Sequence, residues 1–299
     1  MTQQKEQTSG YVYTFMAFLT WGLFPIYWKM LSHIEAIEVL AHRIFWSLIF
    51  VILLLVWKKK LQLASIFKNK KALLTLIVTG ILIGSNWGIF IYAVNEGHII
   101  EASLGYYITP LLNVGLGMLF LNERLNKIQL VALILAAAAV LYLTIDFGRF
   151  PWISMLLAST FAIYGLLKKL SGVEALPSLA IETLVLAPFA LAYIIYKMSL
   201  GTGALFAENR MIDILLIMAG VVTTMPLYWF GLGAKRISLT SVGFMQYIGP
   251  TIMLFIGIFM YKEGFPKEKQ IAFAAIWMAL VFYSYSIVNA YRQTKKVKS

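Results

Sequence analysis

Residues 101–123 read EASLGYYITPLLNVGLGMLFLNE, and residues 241–263 read SVGFMQYIGPTIMLFIGIFMYKE. Each is an apolar run with a proline near its centre and a glutamate at its end. Overlaid at a shift of 140 residues, they match at Tyr107 and Tyr247, Ile108 and Ile248, Pro110 and Pro250, Gly117 and Gly257, and Glu123 and Glu263. The same shift carries Lys29 onto Lys169, Gly80 onto Gly220 and Phe90 onto Phe230 without a gap. Aliphatic matches mean little in so apolar a chain. Pro, Gly, Glu and Lys falling in one register point to a duplicated unit.

A bilayer core of about 30 Å takes about 20 apolar residues as a helix. That ruler finds ten spans: 11–31, 39–57, 72–92, 101–121, 128–145, 151–167, 178–197, 211–231, 240–261 and 270–290. They read as helices, because backbone in lipid must satisfy its own hydrogen bonds and barrel strands would alternate over about 10 residues. Of the 299 residues, 61% are apolar or aromatic and 13% charged, against about 45–50% and about 25% in a soluble domain. A water-soluble globule is excluded. The fold class is an all-α polytopic membrane protein of ten transmembrane helices in two inverted five-helix repeats. Residues 1–148 hold spans one to five and residues 149–299 spans six to ten. Five is odd, so the second copy enters from the opposite face, as in many secondary carriers.

The net charge of +12 does not indicate nucleic acid, because the bases sit between apolar runs rather than as a stripe on a folded face. Of the 25 Lys and Arg, 17 fall in the N-terminus, the even-numbered loops and the C-terminal tail, and six in the odd-numbered loops. Lys29 and Arg43 lie within spans. The excess places both termini in the cytoplasm, which an even span count requires. The first span lacks a cleavage site and reads as an uncleaved anchor.

Several motifs together resemble the RarD group of EamA-type permeases in the drug/metabolite transporter superfamily. They are Trp21–Pro25, His42-Arg43 with Trp46-Ser47, Asn86-Trp87, Tyr92–Asn95, Glu101–Tyr107 with Pro110, and Asn122–Arg124. The second half adds Tyr164-Gly165, Glu182-Thr183, Thr223-Thr224 and Phe244–Thr251. The resemblance covers nearly the whole chain. It implies a central cavity with the fifth and tenth helices peripheral, and a group often named for chloramphenicol sensitivity whose wider family moves metabolites and amphiphilic drugs.

Polar and kinked positions within spans mark candidate paths, since such groups usually face protein or water. Tyr106, Pro110 and Asn113 share a face of the fourth span with Ser103 and Gly117, and the mates of the first three are Gln246, Pro250 and Met253. Proline is expected to break the backbone ladder in both helices, so these two faces are the first choice for a cavity lining. Trp21, Asn86, Thr223 and Thr224 are further candidates. Plain helix packing, and hydroxyls bonding back to their own helices, are the competing readings.

For gating or coupling the candidates are Lys29, His42, Arg43, Glu101 and Glu182. Lys29 or Arg43 is expected to meet Glu35, Glu38 or Glu101 at the outer side, and Glu182 to meet Lys168 or Lys169 at the inner. Snorkelling of the cations to the interface is the alternative. Glu123 and Glu263 read as structural. No metal or cofactor is implied: there is no cysteine, only three histidines, no phosphate loop and no nucleophile elbow. The reading is a non-enzymatic inner-membrane permease moving a small organic solute by alternating access, with the bilayer as its other partner. A membrane scaffold or lipid scramblase is the alternative, and a homodimer stays open.

Overall fold

The computed structural model describes residues 3–58, 63–207, 209–262, 264 and 267–298, without the side chains of residues 3, 64, 65, 95 and 290–298. Lys59, Lys60 and Glu263, and the side chains of Arg292, Lys295, Lys296 and Lys298, lie outside this description. All elements among the described residues are helical. They are α1 (Gln3–Lys29), α2 (Ala36–Trp57), the short α3 (Leu63–Lys68), α4 (Lys70–Asn95), α5 (Ile99–Leu121), α6 (Lys127–Asp146) and α7 (Trp152–Leu170). There follow α8 (Ala175–Ser199), α9 (Arg210–Ala234), α10 (Leu239–Gln246), α11 (Ile248–Phe255), a π-helical turn (Ile256–Met260) and α12 (Lys267–Lys298).

Side-chain caps set several of the starts. Asn69 accepts from the Ala72 nitrogen, Asn209 from that of Ile212 and Ser238 from that of Ser241, while Asn126 and Gln129 form a reciprocal capping box. Each satisfies backbone donors that a helix start leaves open. Among the described residues, nine helical stretches are long and apolar enough to cross a membrane: α2, α4 to α9, the run Leu239–Met260, and α12. Helix α1 has 27 residues, about 40 Å at 1.5 Å per residue, but Tyr11, Tyr13, Tyr27, Trp21 and Trp28 dilute its apolar character.

The packing closes into a ring. In order around it, α1 touches α9, then α2, α8, α4, α7, α5 and the α10–α11 run, which returns to α1. The remaining long helices, α6 and α12, pack on each other outside, α6 leaning on α5 and α12 on α10. Short connections reverse successive helices, so the ring has a proximal end, where α1 begins, and a distal end, where α1 stops. Large apolar side chains such as Leu53, Leu119, Phe189 and Val281 point outward, where water would penalise them and lipid would not.

The mirrored prolines behave differently. α5 runs unbroken through Pro110, whereas Tyr247 separates α10 from α11 just before Pro250. The expected break in both helices therefore occurs in one. The residues ahead of the two prolines differ: Thr109 returns its hydroxyl to the Gly105 carbonyl at 2.7 Å, while its mate Gly249 is a weak helix former.

Candidate functional site

The proximal half of the ring is filled. Trp21 of α1 packs on Phe161 of α7 and Phe230 of α9, with centroids 5.7 Å apart in both cases, and Phe18 and Tyr164 extend the cluster. Beside it lies a buried ion pair. The Lys168 ammonium donates to the Glu182 carboxylate at 2.9 Å and to the Ser178 hydroxyl at 2.8 Å. Thr79, Ser178 and Tyr164 also donate to Glu182, at 2.8, 2.9 and 3.2 Å. Ionised groups removed from water need this degree of satisfaction, because each costs several kcal/mol to desolvate, on the order of magnitude usual for buried ions. Lys169 donates to the Ala234 and Ile237 carbonyls. Glu123 accepts from the Leu239 and Thr240 nitrogens at 2.7 and 2.8 Å, tying the end of α5 to the start of α10.

The distal half holds Arg43. Its Nε donates to the Thr223 hydroxyl at 3.0 Å. Its guanidinium lies 4.5 Å from the Trp28 ring and 5.0 Å from the Trp87 ring. Tyr106 stands on α5, across the ring from α2, with its ring 6.3 Å from that of Phe90. Cation–π contacts are worth about 0.5–2 kcal/mol each. Two of them and one hydrogen bond fall short of replacing a guanidinium's hydration. Arg43 is only half-buried and Tyr106 is 37% exposed. Residues from α1, α2, α4 and α9 thus converge in the distal interior of the ring, the chamber above the aromatic floor.

The other candidates serve elsewhere. Asn113 donates to the Gln246 side-chain carbonyl at 2.8 Å, both buried. A methyl group on Gly243 would come within 2.6 Å of the Pro110 carbonyl oxygen, so Pro110, Asn113 and Gln246 form a tight crossing of α5 and α10, with Pro250 buried beyond it. Asn86 commits its amide donor group to the Leu157 carbonyl and the Thr160 hydroxyl of α7. The Thr224 hydroxyl and His42 Nδ1 are buried without hydrogen-bond partners.

The outer-side pairing expected of Lys29 or Arg43 with a carboxylate is corrected. Glu35 takes Lys197 at 3.0 Å, Glu101 takes Arg149 and the Ile153 nitrogen, and Glu38 takes the Ala204 nitrogen. Lys29 sits 3.6 Å over the Tyr261 ring instead. Sequence reasoning missed Thr79, Phe161 and Ser178, and quoted Tyr164 and Phe230 without offering them as site residues. Two were signalled: Tyr164 precedes Lys168, and Ser178 precedes Glu182, by one helical turn across a short connection.

The EamA-like transporter family matches residues 8–145. The uncharacterized transporter YojE of Bacillus subtilis is 43% identical over 98% of this chain and 99% of its own. The protein RarD of Escherichia coli K12 is 39% identical over 98% and 99%. The chain belongs to the RarD group of EamA-type transporters. A solved crystal structure shares the fold at a TM-score of 0.71 and 17% identity, covering 92% of this chain and 96% of its own. As a RarD-group protein the molecule is a multi-pass membrane permease, and the ring is the feature of its fold suited to enclosing a solute.

One flanking group tunes the filled end. Burial first, and the nearby Lys168 cation second, push the Lys235 ammonium down to about 8 from its ordinary 10.5. Between those values the unfolded chain binds more protons than the folded one, so stability rises with pH across that window. Melting curves from pH 8 to 10.5 are expected to climb in the native protein and to lose that component in Lys235→Gln; parallel curves would refute it.

Proposed function

We propose that this permease is a secondary carrier of ten spans in two inverted repeats, 1–148 and 149–299, moving a small organic solute by alternating access. The observation carrying the reading is the ring, filled at one end and holding the half-buried Arg43 at the other. The 140-residue shift relates α1 to α7, α2 to α8, α4 to α9, α5 to the α10–α11 run and α6 to α12. Under that exchange the packing of α1 on α9 becomes that of α7 on α4, and α2 on α9 becomes α8 on α4. The pairs α2–α8, α5–α10 and α6–α12 map onto themselves, which supports a two-fold axis through them. The length of α1 supports its counting as the tenth span. The distribution of Lys and Arg supports a cytoplasmic proximal end and an inner-membrane location in a bacterium. On this reading Trp21 belongs to the closing aromatic layer, Thr223 and Tyr106 to the chamber wall, and Glu182 to a seal that opens in the other state. The Asn113–Gln246 crossing is the pivot.

The chain has no cysteine, so single cysteines report cleanly. Tyr106→Cys is expected to react readily with an aqueous maleimide and Gln246→Cys slowly, with solute shielding the former. Equal rates at the two positions would overturn the chamber. In proteoliposomes, saturable counterflow of one labelled solute supports the carrier, whereas lipid flipping without solute selectivity supports a scramblase.

A further inference from the structure

We propose that the solute is an organic anion and that Arg43 binds its carboxylate or phosphate. That the anion is transported rests on the permease reading above; that Arg43 binds it does not.

Several other cations of the bundle are answered by the protein itself. Lys168 has Glu182 and Ser178, Lys169 has two backbone carbonyls, Lys197 has Glu35 and Arg149 has Glu101. Arg43 alone among these faces the chamber, and among the described residues it has no carboxylate partner. Three carboxylates near the same end are engaged elsewhere: Glu35 with Lys197 and Tyr193, Glu38 with the Ala204 nitrogen, and Glu101 with Arg149 and the Ile153 nitrogen. Among the described residues no carboxylate reaches Arg43.

Its directions of approach are also limited. Indoles cover the guanidinium and Thr223 holds Nε, which leaves the edge carrying the two Nη groups. That edge offers parallel N–H donors at the spacing of carboxylate or phosphate oxygens. The rest of a bound molecule would lie against Tyr106 and Phe90, whose rings are 6.3 Å apart, over the floor made by Trp21, Phe161 and Phe230. A flat apolar body fits those surfaces. An amine has no carboxylate to meet there.

The test uses purified full-length protein in detergent, titrated by calorimetry and tryptophan emission with four probes of one shape: phenylacetate, phenyl phosphate, phenylacetamide and phenethylamine. At least one anion is expected to bind, with the amide and the amine at least about tenfold weaker. Arg43→Gln is expected to weaken the anion by at least about tenfold, with Arg43→Lys between. Anion binding that fails up to about 10 mM, or that the amide or amine equals, overturns the proposal. So does unchanged anion affinity in folded Arg43→Gln. The comparison of probes on the unmodified protein needs no variant, so it decides even where Arg43→Gln does not fold. Anion binding without flux in proteoliposomes removes the carrier and keeps Arg43; flux of uncharged solutes untouched by Arg43→Gln removes the anion site and keeps the carrier.

Discussion

Glu182→Leu is expected to cost about 3–5 kcal/mol of stability, because it leaves the Lys168 ammonium buried with no carboxylate to balance it. Lys168 is 0% exposed and Glu182 2%, so neither can turn to water without opening the helices around it. The double variant Lys168→Met with Glu182→Leu should recover most of that loss, since apolar pairs of similar volume commonly replace buried ion pairs without penalty. Thermal unfolding of the three proteins in one detergent checks both statements; a single variant as stable as the native protein would refute the buried pair. Counterflow adds a second reading. On the carrier reading, separated charges regain hydration when the proximal end opens, and an apolar pair does not. The stable double variant is therefore expected to transport more slowly than the native protein.

Gly220→Val is the second large effect. A methyl group there would come within 2.6 Å of the Ser47 nitrogen and of the Trp46 side chain, and the Gly220 carbonyl also accepts from the Ser47 hydroxyl at 3.1 Å. Backbone cannot move aside as a flexible side chain can, so α2 and α9 would have to separate. Overpacking of this kind costs about 1–3 kcal/mol or more. Gly88→Ala is the control: nothing lies within 4 Å of the added carbon, and helix propensity gives it a gain of up to about 1 kcal/mol. Similar melting temperatures for the two variants would refute the close crossing.

The helices were legible because a membrane imposes run length, and run length survives in composition. The pairing of Glu182 with a lysine at the end of the preceding helix was legible for a different reason: a short connection and two one-turn spacings bring those side chains to the same depth. Depth alone misled for Arg43. Glu35, Glu38 and Glu101 lie near the same end, but depth does not say which helices are neighbours around the ring, and Lys197 and Arg149 reach those carboxylates first. The two prolines show a further limit. Pro110 and Pro250 are equivalent in register, yet one helix is continuous and the other divided, and register alone does not tell the two apart. Asn113 and Gln246 were singled out as polar groups in spans, a pattern that fits a helix crossing as well as a chamber wall.

On the carrier reading, an arginine with no carboxylate partner among the described residues makes an empty turnover unlike a full one. Unoccupied, the machine must drag a bare positive charge through an enclosed, water-poor stage; occupied by an anion, it crosses that stage neutral. Traffic should then run as barter, with an anion on the far side speeding the release of the one inside beyond what an anion-free bath achieves.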